Sequence, residues 1–148
     1  MKRKHIKPIA EIAMACCTLS LLNARPSQAI ILVQDGQPQA TIVVEPNASK
    51  QIKEAAQTLQ NYVQQSSGAR LPIADKADGT SIHIGFGSAA KSAGIDVAKL
   101  DQDGFVLQGA GDRQYFIVGG SDWGTEFGVY DFLERYLGVR WLMPTELG

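Results

Sequence analysis

The chain has 148 residues, 14 Lys plus Arg against 15 Asp plus Glu, a formal net charge of −1 and 45% hydrophobic residues. That balance excludes nucleic acid and anionic membrane surfaces as partners, because phosphate contacts need clustered Lys and Arg. Its two cysteines, Cys16 and Cys17, both lie near the N-terminus, so the rest of the chain can form neither a disulfide nor a thiol nucleophile.

Met1 to Ala29 reads as a secretory signal: a basic start at Lys2, Arg3, Lys4 and Lys7, an apolar run from Ile9 to Leu22, and Ser27-Gln28-Ala29 as a small-x-small cleavage site. The run of about 14 residues falls short of the roughly 20 that a membrane helix needs. Cleavage near Ala29 predicts a secreted or periplasmic product, residues 30–148, that forms one domain, carries no membrane anchor and is more acidic than the precursor. Lipid anchoring at Cys16 is the lesser alternative, since Met14 fills a place where a lipoprotein signal takes a small or β-branched residue.

Ile30 to Val33 and Ala40 to Val44 flank the turn signal Asp35-Gly36 and predict an N-terminal hairpin. Beyond Pro46, Ile52, Ala55, Ala56, Leu59, Tyr62 and Val63 share one face of a 3.6-residue period and predict an amphipathic helix. Asn47 or Ser49 is placed to cap its start and Gly68 its end. Leu71 to Ala74, with Pro72, predicts an edge strand, and Ser81 to Phe86 a second strand. Ala89, Ala90 and Lys91 predict a single helical turn within a glycine-punctuated segment. Phe105 to Gln108 and Gln114 to Val118, joined by Gly109-Ala110-Gly111-Asp112-Arg113, predict a hairpin. A second long helix is expected over roughly Trp123 to Leu137, ended by Gly138, with a final strand from Val139 to Met143. The expected fold is α/β in the two-layer α+β sense: a mixed, mostly antiparallel sheet with two long helices packed on one face. With no further helix before Gly148, the chain reads as cut at a domain boundary.

The blocks TIVVEPNASKQIKEAAQTLQNYV, IHIG, DGFVLQ and GTEFGVYDFLERYLGVRWLMP follow one another between Thr41 and Gly148. In this order and spacing they resemble the N-terminal accessory domain of secreted bacterial glycoside hydrolases, the α-glucuronidase type related to the non-catalytic domain of β-N-acetylhexosaminidases. The resemblance implies a domain that packs against a catalytic (β/α)-barrel absent from this chain, with the acid and base carboxylates on that barrel. No cofactor is implied. Polysaccharide is the implied substrate of the parent enzyme, and no catalytic residue transfers to this chain.

The residues themselves point the same way. Asp131 and Glu134 are close enough in sequence to meet, but are expected on a solvated helix face, where neither gains the raised pKa of an acid catalyst. Asp101 and Asp103 read as turn residues. Gly119-Gly120-Ser121-Asp122-Trp123-Gly124, with Glu146 beyond it, approximates a dinucleotide-binding turn. Ser121 replaces the glycine that lets pyrophosphate approach, Trp123 crowds the turn, and the preceding strand belongs to a hairpin. His83 lacks the companion ligands that zinc requires and reads as a strand histidine with a hydrogen-bond partner. Gly124 and Gly128 predict close helix-on-sheet packing. Trp123, Trp141 and Tyr115 are the candidate sugar-stacking residues of a second reading, a free-standing carbohydrate-binding module, although core or interface packing is the preferred role of the two tryptophans. An adhesion or interaction domain is a third possibility.

Overall fold

The structure is a computed structural model that describes residues 30–141. The expected leader, Cys16, Cys17 and everything after Trp141 lie outside those residues. In chain order the elements are β1 (Val33–Gln34), β2 (Gln37–Pro38), β3 (Ala40–Val44), α1 (Lys50–Ser67), β4 (Ile73–Ala74), β5 (Thr80–Ile84), α2 (Ser88–Ser92), β6 (Phe105–Ala110), β7 (Gln114–Gly119) and α3 (Asp122–Leu137).

Five strands form one sheet in the order β4-β3-β5-β7-β6. The mixed sheet and the two long helices are as expected, but the strand directions differ. β4, β5 and β7 join through parallel pairings with β3 or with each other, and only β6–β7 is antiparallel. Hairpins announce themselves locally through their turn residues, whereas β3 and β5 meet only after the chain has crossed over through α1. The N-terminal turn also forms where expected, with Asp35 at φ 51° and Gly36 at φ 71°. It joins β1 to β2 in a separate two-stranded sheet, and Ala40–Val44 is not its partner. Residues 42–44 are buried in succession, a pattern that suits a strand covered on both faces.

α1 buries Ile52, Ala55, Ala56, Leu59 and Val63 on the sheet, together with Gln60, whose Nε2 donates to the Leu71 carbonyl at 2.6 Å. Ser49 is the cap that forms, its Oγ accepting from the Ile52 N–H, and Gly68 closes the helix in the left-handed region. α3 lies on the same face of the sheet and buries Gly124, Thr125, Gly128, Val129, Phe132 and Leu133. Phe127 and Tyr136, expected within its buried stripe, are exposed instead. The expected strand from Val139 does not form over its described part. The Gly138 and Val139 N–H groups both donate to the Leu133 carbonyl, so these residues finish the helix. The opposite face of the sheet, with Phe116 and Val118, is covered by Ala90, Ile95 and neighbouring residues around α2, a thin layer that the two-layer expectation lacks.

Candidate functional site

β3, β5 and β7 run parallel, so their carboxyl ends emerge together and lead into the starts of α1, α2 and α3. In open α/β sheets this is where ligands bind. A cleft of about 520 Å³ lies there, lined by Glu45 after β3, Gly85 to Ser88 after β5, and Gly119 to Asp122 at the β7–α3 junction. A second hollow of about 550 Å³ opens on the other side of Glu45 and includes His83, Asp75 and Asp78.

Glu45 stands between the two hollows. Its Oε1 accepts from the Ser88 backbone N–H at 2.9 Å and from the Ser88 hydroxyl at 2.8 Å. Those two bonds, the backbone one first, hold its carboxyl below the usual carboxylate range. Gly87 lets the carboxylate come this close, since a side chain there would collide with it. Glu45 is therefore an ionised acceptor occupied by the start of α2, the opposite of a poised proton donor. Sequence reasoning missed this pair because its members stand 43 positions apart. The signal was there in principle: a carboxylate directly after one buried strand and Gly-x-Gly-Ser directly after the next.

His83 has the partner expected of it. Its Nε2 lies 3.0 Å from Ser81 Oγ, and its ring stacks on Phe116 at 4.7 Å and 17°. Ser81 is buried, and Glu45 acts on the imidazole only through space. Burial pushes the His83 pKa below the ordinary value of 6.5, against an opposing pull from Glu45. The unfolded chain thus takes up a proton more readily than the folded one as pH falls through 6.5, which lowers stability on the acid side and leaves it flat above. The melting temperature should fall between pH 7.5 and 5.5. His83→Gln should flatten that decline; an identical decline in the variant would show that another group causes it.

The glycine turn after β7 has its donors engaged within the chain. The Gly119 N–H goes to Thr125 Oγ1 at 2.9 Å, the Gly120 N–H to the Gly104 carbonyl at 2.9 Å and the Gly124 N–H to Ser121 Oγ at 3.2 Å. Ser121 also donates to the Gln102 carbonyl, which ties the 101–104 turn over the glycines. A phosphate would have to break this network. Contrary to expectation, β7 is not confined to the hairpin with β6 but also pairs in parallel with β5, as a strand before a dinucleotide turn does. What sets this turn apart from a dinucleotide site is that its N–H donors are already engaged; Glu146 lies outside the described residues. Gly124 and Gly128 serve the expected close packing: side chains there would strike the Gly104 carbonyl and the Ile117 and Phe105 side chains.

The helical acidic candidates are each paired with an arginine. Asp131 pairs with Arg135 at 2.7 Å and Glu134 with Arg140 at 3.2 Å, while Asp101 and Asp103 sit in the exposed turn before β6. Among the described residues no three His, Cys, Asp or Glu side chains are grouped to hold a metal ion, and no helix is long and apolar enough to cross a membrane.

The three candidate stacking residues belong to three different aromatic clusters. Trp123 is 60% exposed beside Phe127, with ring centroids 6.4 Å apart. Trp141 is 44% exposed and stands edge-on between Tyr62 and Tyr130. Tyr115 is half-buried against Phe132 and Tyr136, in an apolar hollow of about 410 Å³ at the far end of the helices. Its hydroxyl lies 3.1 Å from that of Tyr136, and burial followed by this bond raises its pKa.

The family model described as the glycosyl hydrolase family 67 N-terminus matches residues 31–132. The chain belongs to this family. That match runs from the start of the N-terminal hairpin through most of α3. Among solved structures, this family 67 N-terminal domain is similar to a family GH115 4-O-methyl-α-glucuronidase with specificity for decorated arabinogalactans, at 25% identity and a TM-score of 0.61. The alignment covers 73% of this chain and 14% of that one. A GH138 enzyme targeting pectin rhamnogalacturonan II shares the fold at 16% identity and a TM-score of 0.50, over 69% of this chain and 14% of its own. The domain thus spans about one seventh of the length of either enzyme. No curated protein matches it.

Proposed function

We propose that this chain is the non-catalytic accessory domain of an exported glycoside hydrolase whose glycosidic bond cleavage is performed by a separate (β/α)-barrel. The match to an N-terminal family over residues 31–132 carries this reading. The local chemistry supports it: Glu45 is engaged by Ser88, and Asp131 and Glu134 are each tied to an arginine, so each of these carboxylates already has a partner within the chain. Kinship with the accessory domain of β-N-acetylhexosaminidases belongs to this reading, as does export through the Met1 to Ala29 leader. The GH115 neighbour supports a plant polysaccharide decorated with glucuronic acid as the parent enzyme's substrate class.

To test this, the purified 30–148 polypeptide is incubated with arabinogalactan carrying 4-O-methylglucuronate, and free uronic acid is measured. No release above the blank is expected. Release that vanishes when one of the chain's own Asp or Glu residues is changed to Asn or Gln would end the non-catalytic reading. The exposure of Trp123 and Trp141 also favours a second reading, a carbohydrate-binding module. Tryptophan fluorescence that stays constant through millimolar oligosaccharide would remove it.

A further inference from the structure

Trp123, Phe127, Tyr130 and Glu134 recur at steps of four, three and four along α3, which places them on one line of the helix. The line runs opposite the side that buries Gly124, Gly128 and Phe132. On such a helix the outward line normally belongs to charged and polar residues. Here three of the four are aromatic, with Trp123 60% and Phe127 40% exposed. After Gly138 the chain turns back over this surface, and the Trp141 ring stands 5.0 Å from Tyr130 of α3 and 5.3 Å from Tyr62 of α1.

Two carboxylates along the strip already have partners within the chain. Glu126 accepts from Gln51 at 2.7 Å and from Tyr130 at 2.9 Å, and Glu134 pairs with Arg140. Dehydrating such a surface strands few charges, and aromatic rings contribute large areas to a contact when covered. An aromatic centre inside a self-paired polar rim is the composition of an interface.

We propose that this outer face of α3, with Trp123 and Phe127 toward its start and Trp141 against Tyr130 further along, docks the catalytic domain of the same polypeptide, an inference that rests on the multidomain reading above. Two observations select that occupant. Trp141, the last described residue, stands on the strip against Tyr130, and a domain tethered beyond it is present at roughly millimolar effective concentration. In the solved relatives the fold makes up 14% of the chain, leaving a large remainder able to cover it.

The test places a cysteine at Phe127 (Phe127→Cys) in the polypeptide extended through its catalytic domain and in the 148-residue chain, with Asp112→Cys on the β6–β7 turn as reference. Maleimide labelling is read by mass spectrometry of the modified peptide. Phe127→Cys should label at least about tenfold more slowly in the extended protein, the change that roughly 1.4 kcal/mol of docking free energy produces, while Asp112→Cys labels alike in both. Trp123→Cys gives an independent reading should Phe127→Cys disturb folding. Equal labelling at positions 123 and 127 would overturn the docking face and leave the multidomain reading standing. A reading frame that closes after codon 148 would sink both. A dimer of the 148-residue chain that dissociates on Trp123→Asp would assign the face to a second copy and also overturn the proposal.

Discussion

Gly119→Ala is expected to destabilise the domain by about 3 kcal/mol or more, a large part of the roughly 5 to 15 kcal/mol that holds a typical domain together. Gly119 ends β7 in a buried position. A methyl group there would collide with the Thr125 nitrogen, the Gly124 carbonyl carbon and the Ser121 oxygen, all backbone atoms of the β7–α3 junction. Backbone cannot swing aside as a side-chain tip can, so relief requires the start of α3 to lift from the sheet. Lifting it breaks the bond from the Gly119 N–H to Thr125 Oγ1 and disturbs the Ser121 cap. Gly111 provides the contrast. It has φ +62° and nothing within 4 Å of where a side chain would sit, so Gly111→Ala should cost only about 1 kcal/mol of left-handed backbone strain. Urea denaturation of both variants decides the matter; a Gly119→Ala midpoint equal to that of the parent would show that the junction yields freely.

Phe116→Ala should cost about 3 to 5 kcal/mol, the range for deleting a fully buried aromatic side chain. Phe116 is 0% exposed and lies beneath the thin cover around α2, where the small side chains of Ala89, Ala90 and Ala93 have little reach to refill the space. The same ring is the surface on which His83 stacks. Its removal should admit water to the imidazole, return the His83 pKa toward 6.5 and shrink the acid-side loss of stability. His83 is the single histidine in residues 30–148, so its proton resonance can be followed without assignment by mutation. A large stability loss with an unmoved His83 titration would separate the packing argument from the electrostatic one.

Both predictions concern places that sequence reasoning reached unevenly. α1 was legible because its caps and its apolar spacing agree over 18 residues, and β6–β7 because the turn lies between the strands it joins. Strand direction was not legible. β3 looked like half of a hairpin because Asp35-Gly36 precedes it, yet its partners are reached only through α1. Glu45 and Ser88 were unreadable for the same reason, since only the parallel alignment of β3 and β5 brings their ends together. Phe127 and Tyr136 were assigned to the core on hydrophobicity alone, but periodicity places Phe127 on the outward line of α3. The strand expected from Val139 to Met143 does not form over Val139 to Trp141, where the chain instead completes the helix end and folds back over the tyrosines.

The parallel centre of the sheet also governs the order in which this protein can assemble. The β6–β7 hairpin closes through a three-residue turn and can form as soon as it leaves the ribosome. β3 and α1 are synthesised early, yet the helix that shares their core face is the last regular element among the described residues, and the Gln51–Glu126 bond spans 75 positions. Nascent chains held short of residue 122 therefore keep an open greasy side, a state that chaperones recognise, and commitment to the native topology of this domain waits for α3.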